Sequence, residues 1–140
     1  MAWLASEKAV EGRVLIVDDE ETIRKTLRLS LTTAGYDVQE AGDGGQGIEM
    51  LNSGDNPIMV DAIICDIRMP RVNGIEAIAY FRNQYPSTPI IVLTGYPDPD
   101  LSARLLKDGV VDYLTKPIPR EALLKAVKNA IDTRRINFYP

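Results

Sequence analysis

The chain alternates five strand-like runs with five helix-like stretches, and no other feature limits its fold so strongly. Val14-Leu15-Ile16-Val17, Ala62-Ile63-Ile64-Cys65 and Pro89-Ile90-Ile91-Val92-Leu93 are short, continuously apolar and rich in branched side chains. Runs of this kind mark strands covered on both faces. Tyr36 to Ala41 is half polar, which predicts a strand near a sheet edge, and Val110 to Leu114 predicts the last strand. Between them, Ile23, Leu27 and Leu31 recur every four residues and predict a helix over Glu20 to Thr33. Asp19, Glu20 and Glu21 favour its start and Gly35 stops it. Gly47 to Ser53 predicts a short helix, and Ile75 to Gln84 a longer one with Ile78 and Phe81 inward. Asp98 and Pro99 predict the cap and first residue of a helix running to Lys107. Pro119 opens a final helix striped by Leu123, Ala126, Val127, Ala130 and Ile131. Repeated βα units predict an α/β fold, a parallel sheet with helices on both faces.

A length of 140 residues fits one domain, read here as residues 12–133. Residues 1–11 read as a flexible arm or cloning remnant and 134–140 as a tail. The apolar tail segment Ile136-Asn137-Phe138-Tyr139 is compatible with docking on this domain, with entry into a further domain, or with contact to a partner. A net charge of -4 repels nucleic-acid phosphates, so direct nucleic-acid binding by this chain is not expected. No apolar run approaches the ~20 residues that span a bilayer. The lone cysteine, Cys65, precludes a disulfide framework, fits a reducing cytoplasm and reads as a small buried hydrophobe. The chain has no histidine, which excludes a Ser-His-Asp triad, a histidine base and histidine-ligated metal. Its chemistry must run on carboxylates, hydroxyls, lysine and a hard cation.

Sheets of this class bind ligands beyond the carboxyl ends of their strands, where the strand order reverses. Asp18 and Asp19 end the first strand, Asp66 the third, Thr94 the fourth and Lys116 the fifth. If the first and third strands are neighbours, three carboxylates share one crevice. Two charges ~4 Å apart repel by roughly 4 kcal/mol at an effective dielectric of 20. Such a group requires a cation or protonation, and Mg²⁺ (or Mn²⁺) suits oxygen ligands. Lys116 would add a second positive charge. A carboxylate in this company is a candidate nucleophile for an aspartyl-phosphate. The Thr94 hydroxyl would bond a phosphoryl oxygen, and Gly95 leaves the crevice uncrowded. Singly, each residue has a plainer role: a helix cap for Asp18 and Asp19, a loop for Asp66, a turn hydroxyl for Thr94, a solvated charge for Lys116, a packed aromatic for Tyr113. Convergence on strand ends outweighs those readings for Asp18, Asp19, Asp66, Thr94 and Lys116; for Tyr113 the packing role stands level with a functional one. Gly42-Asp43-Gly44-Gly45-Gln46-Gly47 fits the dinucleotide-loop pattern, but the polar strand before it favours a loose glycine turn.

Together, Val17-Asp18-Asp19-Glu20, Asp66-Ile-Arg-Met-Pro70 followed by Asn73-Gly74, Leu-Thr94-Gly95, and Tyr113-Leu-Thr-Lys116-Pro117 resemble the receiver domains of two-component response regulators. The resemblance covers roughly residues 12 to 133. It implies a flavodoxin-like (βα)5 fold, a doubly wound parallel sheet of strand order 2-1-3-4-5. It implies phosphorylation of Asp66 from a histidine kinase or histidine phosphotransfer protein, with Asp18, Asp19, Asp66 and the Arg68 carbonyl arranging Mg²⁺. Thr94 and Tyr113 would shift on phosphorylation, and the Lys116-Pro117 bond would be cis. The face formed by the fourth helix, fifth strand and fifth helix would then change for a partner or a second copy of the chain. Such a module is not an enzyme beyond its own phosphorylation and dephosphorylation. Two positions vary in the family, Arg68 and Tyr96; both are bulky here and are expected to shield the phosphoryl group from water. Two other readings stand beside this one. A haloacid-dehalogenase-type phosphatase would need an aspartate where Arg68 stands. A phosphorylation-independent scaffold would not need the complete residue set.

Overall fold

The computed structural model describes residues 11–69 and 73–138, with side chains to residue 134. Pro70, the N-terminal arm up to residue 10 and the side chains of the apolar tail segment lie outside them. Five strands form one parallel sheet: β1 Gly12–Val17, β2 Tyr36–Ala41, β3 Val60–Cys65, β4 Ile90–Thr94 and β5 Asp112–Thr115. Their spatial order is β2-β1-β3-β4-β5, so the edge position foreseen for β2 is the one observed. The helices are α1 Glu21–Thr33, α2 Gly44–Leu51, α3 Gly74–Gln84, α4 Pro99–Lys107 and α5 Arg120–Phe138, with a one-turn helix at Asn56–Met59.

Strand alternation divides the core in two. Leu15, Val17, Ile63, Cys65, Ile90 and Val92 face α2, α3 and α4, meeting Leu51, Ile78, Phe81 and Leu105. Val14, Ile16, Ala62, Ile64, Ile91 and Leu93 face α1 and α5, meeting Leu27, Leu31, Leu123 and Val127. Each central strand therefore buries both faces, which is why its sequence runs apolar without alternation. Ile78 and Phe81 lie inward, and all five residues foreseen for the α5 stripe are buried.

Several boundaries differ from the sequence reading. β1 and β3 each begin two residues early, at Gly12 and Val60, because backbone pairing continues through Arg13 and Val60, with the register shifting past Asp61. β5 starts at Asp112 rather than Val110 and includes Thr115. α3 does not begin at Ile75: Asn73 caps it, accepting from Glu76 N at 2.9 Å, and Gly74 is its first residue. The glycine segment is not a loose turn either. Asp43 Oδ1 accepts from Gln46 N at 2.8 Å, and the helix begins at Gly44. The cap overrides poor glycine propensity. Gly47 is needed for approach, since a Cβ there would stand 2.9 Å from a Val17 methyl. α5 runs on through Phe138, so residues first read as a tail continue the last helix.

Candidate functional site

Parallel pairing sets the site at the carboxyl end of the sheet. One residue beyond the strands, Asp18 N donates to Ala41 O (3.1 Å) and Asp66 N donates to Val17 O (2.9 Å). These bonds hold Asp18 and Asp66 on adjacent strands, at the point where the strand order reverses. Both side chains are buried, at 2% and 4% exposure. Asp19 beside them is exposed. Ligand oxygens of Asp18, Asp19, Glu20 and Asp66 all lie within 4.8 Å of one another. At an effective dielectric of 20, each pair at that separation repels by about 3 kcal/mol.

One ammonium offsets them. Lys116 Nζ lies 2.7 Å from Asp18 Oδ2, 3.1 Å from Asp66 Oδ2 and 3.2 Å from Glu20 Oε1. Its backbone is fixed as well, because Lys116 N donates to Thr94 O at 2.8 Å. The Lys116–Pro117 peptide is cis. Burial alone would lower the Lys116 pKa, but hydrogen bonds and charge from Asp18 and Asp66 outweigh it and raise it. Burial raises the Asp18 carboxyl above its ordinary value, despite the opposing Lys116 contact. Even paired, this acid therefore carries its charge at a cost.

The remaining residues frame the crevice. Asp66 Oδ1 accepts from Arg68 N at 3.0 Å, fixing the carboxylate from the following loop. Gly74 must be a glycine, since a Cβ there would stand 1.9 Å from the Asp66 carbonyl oxygen. Thr94 is fully buried at the end of β4, and its Oγ1 accepts from Tyr96 N at 3.1 Å. The Arg68 guanidinium stacks 4.6 Å from the centre of the Tyr96 ring, joining the two loops beside the site. Tyr113 lies apart from the carboxylates. Half-buried on β5, it packs on the core, and its hydroxyl accepts from Asp98 N (3.4 Å) at the start of α4. Cys65 is fully buried, its thiol pushed far up by that burial.

Sequence reading missed Glu20. It was assigned to the start of α1, but its side chain makes no cap bond there and turns to Lys116. Its place directly after Asp18-Asp19 was the available signal.

The donor set fits a hard divalent cation. It offers only oxygens, two of them on buried carboxylates, and carries more negative charge than one lysine neutralises. Among the described residues, no helix is long and apolar enough to cross a membrane.

A family model for the response regulator receiver domain matches residues 14–128. The chain is 34% identical over 126 residues to the C4-dicarboxylate transport transcriptional regulatory protein DctD of Pseudomonas aeruginosa, covering 90% of this chain and 26% of that protein. It is 39% identical over 116 residues to the response regulator MprA of Mycobacterium ulcerans, covering 83% and 48%. It thus spans less than half the length of either relative. Among solved structures, a response regulator receiver domain protein from Clostridium thermocellum superposes with a TM-score of 0.83 at 29% identity, covering 89% of this chain and 98% of that one. A CheY-like receiver domain protein from Methanospirillum hungatei gives 0.83 at 27% identity, covering 90% and 98%. With strand order, crevice and sequence in agreement, the chain belongs to the receiver domains of two-component response regulators.

Proposed function

We propose that Asp66 accepts a phosphoryl group from a phosphohistidine of a partner kinase or phosphotransfer protein. The observation that carries this reading is the Lys116 ammonium lodged between Asp18 and Asp66 in a buried crevice. An Asp66 carboxylate oxygen bonds to phosphorus as the phosphorus–nitrogen bond of the donor breaks. The departing imidazole keeps the electron pair and takes up a proton. Asp18, Asp19, Asp66 and the Arg68 carbonyl would hold Mg²⁺ or Mn²⁺, which supplies charge neutralisation for the transferring group. Lys116 neutralises a second phosphoryl oxygen, and the Thr94 hydroxyl turns from Tyr96 N to donate to a third. Arg68 and Tyr96, stacked across the two loops, limit access of water and lengthen the lifetime of the acyl phosphate.

The reorientation of Thr94 is passed to Tyr113, whose hydroxyl contacts the start of α4. The face of α4, β5 and α5 then changes for a partner, an attached effector or a second copy of this chain. Leu106 exposes apolar surface on α4, which suits such docking. An enzyme acting on phosphate esters is disfavoured, since Arg68 stands where a general acid would be required and bonds Asp66 only through its backbone. The lone, buried thiol fits a cytoplasmic setting.

The test is incubation with Mg²⁺ and a small phosphodonor, followed by intact mass. Wild type should gain one phosphoryl group and Asp66→Asn none. A gain that persists in Asp66→Asn would refute the assignment.

A further inference from the structure

Glu20 has no part in the reading above, yet its carboxylate faces Lys116 Nζ at 3.2 Å. An ammonium has three protons to donate, and three carboxylates surround this one. Two are buried, Asp18 at 2.7 Å and Asp66 at 3.1 Å; the third, Glu20, is 55% exposed at the mouth. The Glu20 main chain is pinned, its N–H donating to Asp18 Oδ1 at 2.9 Å. Its side chain makes no cap bond to α1 and so is free to serve Lys116.

A divalent cation at Asp18 and Asp66 draws on the same carboxylate charge and repels the Lys116 ammonium, which weakens its hold on both. The lysine backbone is held to Thr94, so only the side chain can turn. An ammonium turned away without an acceptor would be costly. Glu20 is the acceptor already in contact. Resting on the metal-assisted phosphoacceptor reading, we propose that Glu20 is a positioning residue: it receives the Lys116 ammonium when Asp18 and Asp66 are given to the cation. It holds that ammonium at the mouth, where an incoming phosphoryl group arrives.

The test is calorimetric titration of the full chain with Mg²⁺ at low salt, in wild type, Glu20→Gln, Glu20→Asp, Lys116→Met and each Glu20 variant combined with Lys116→Met. With Lys116 present, both Glu20 variants should weaken Mg²⁺ by about fivefold, the range of a partly exposed ion pair. Aspartate is included because it keeps the charge but not the reach. Without Lys116, neither should weaken it by more than about twofold, as expected of a screened surface charge. Equal losses in both backgrounds would mean that Glu20 acts on the cation itself, and no loss with Lys116 present would mean that it does not act; either overturns the proposal. Wild type that fails to bind Mg²⁺ would also overturn the metal part of the phosphoacceptor reading. Mg²⁺ binding without coupling would sink the Glu20 proposal alone.

Discussion

The two ends of the sheet both gather charge, and they settle it in opposite ways. At the amino ends of the strands, Arg13 bonds Asp37 Oδ2 (2.7 Å), Asp55 Oδ1 (2.7 Å) and Asn56 Oδ1 (2.9 Å). Asp61 there takes Arg13 N (2.9 Å) and Arg134 (3.0 Å). This end works as a clasp joining the entries of β1, β2 and β3 to α5 and the one-turn helix. At the carboxyl ends, four acids cluster and one ammonium pairs with three of them. The acid shifts have opposite signs: the hydrogen bond from Arg13 lowers the Asp55 carboxyl, whereas burial raises that of Asp18. One end stabilises the fold; the other holds an excess of negative charge that a divalent cation can offset.

Four substitutions or titrations test that contrast. The largest effect belongs to Gly74→Ala, which drives a methyl into the Asp66 carbonyl and should cost about 3 kcal/mol in denaturant unfolding. A near-neutral result would mean that the helix and the site loop are not packed as described. Arg13→Met removes the clasp, orphans the buried Asn56 oxygen and should cost about 2 kcal/mol by the same measurement. Asp18→Asn should do the reverse, stabilising the metal-free protein by about 1 kcal/mol, because it removes a carboxylate that is ionised at a cost. Loss of stability would show that the Lys116 pair outweighs the crowding.

The smallest effect is the pH dependence of the metal-free melting temperature. Raised in the fold, Asp18 contributes stability that is full below its ordinary 3.8 and is lost as pH rises through its folded value. Lowered in the fold, Asp55 contributes stability present above 3.8 and lost as pH falls through its folded value. Asp18→Asn should flatten the decline on the higher-pH side, and Asp55→Asn the acid loss. Parallel profiles for both would erase the distinction between the ends.

The carboxyl end was the more legible in sequence. Asp18, Asp66, Thr94 and Lys116 each close or follow an apolar run, and a parallel sheet puts all such positions on one edge. The clasp was not legible, because Arg13, Asp37, Asp55 and Asp61 are far apart along the chain and nothing local pairs them. For the same reason β1 and β3 were read short: their polar entry residues look like loop until their partners are in place. The start of α2 was hidden by glycines whose low propensity the Asp43 cap outweighs. Glu20 was hidden by ambiguity, since an acid at a helix start has a sufficient local explanation.

The central claim is that the phosphoryl group goes to Asp66, and locating the acyl phosphate tests it most directly. Protein treated with a phosphodonor and Mg²⁺ is reduced with borohydride, which converts an aspartyl phosphate to homoserine, then digested and sequenced by mass spectrometry. Homoserine at position 66 alone is the predicted result. Homoserine at Asp18, Asp19 or any other position, or its absence from protein that has gained phosphoryl mass, would contradict the account.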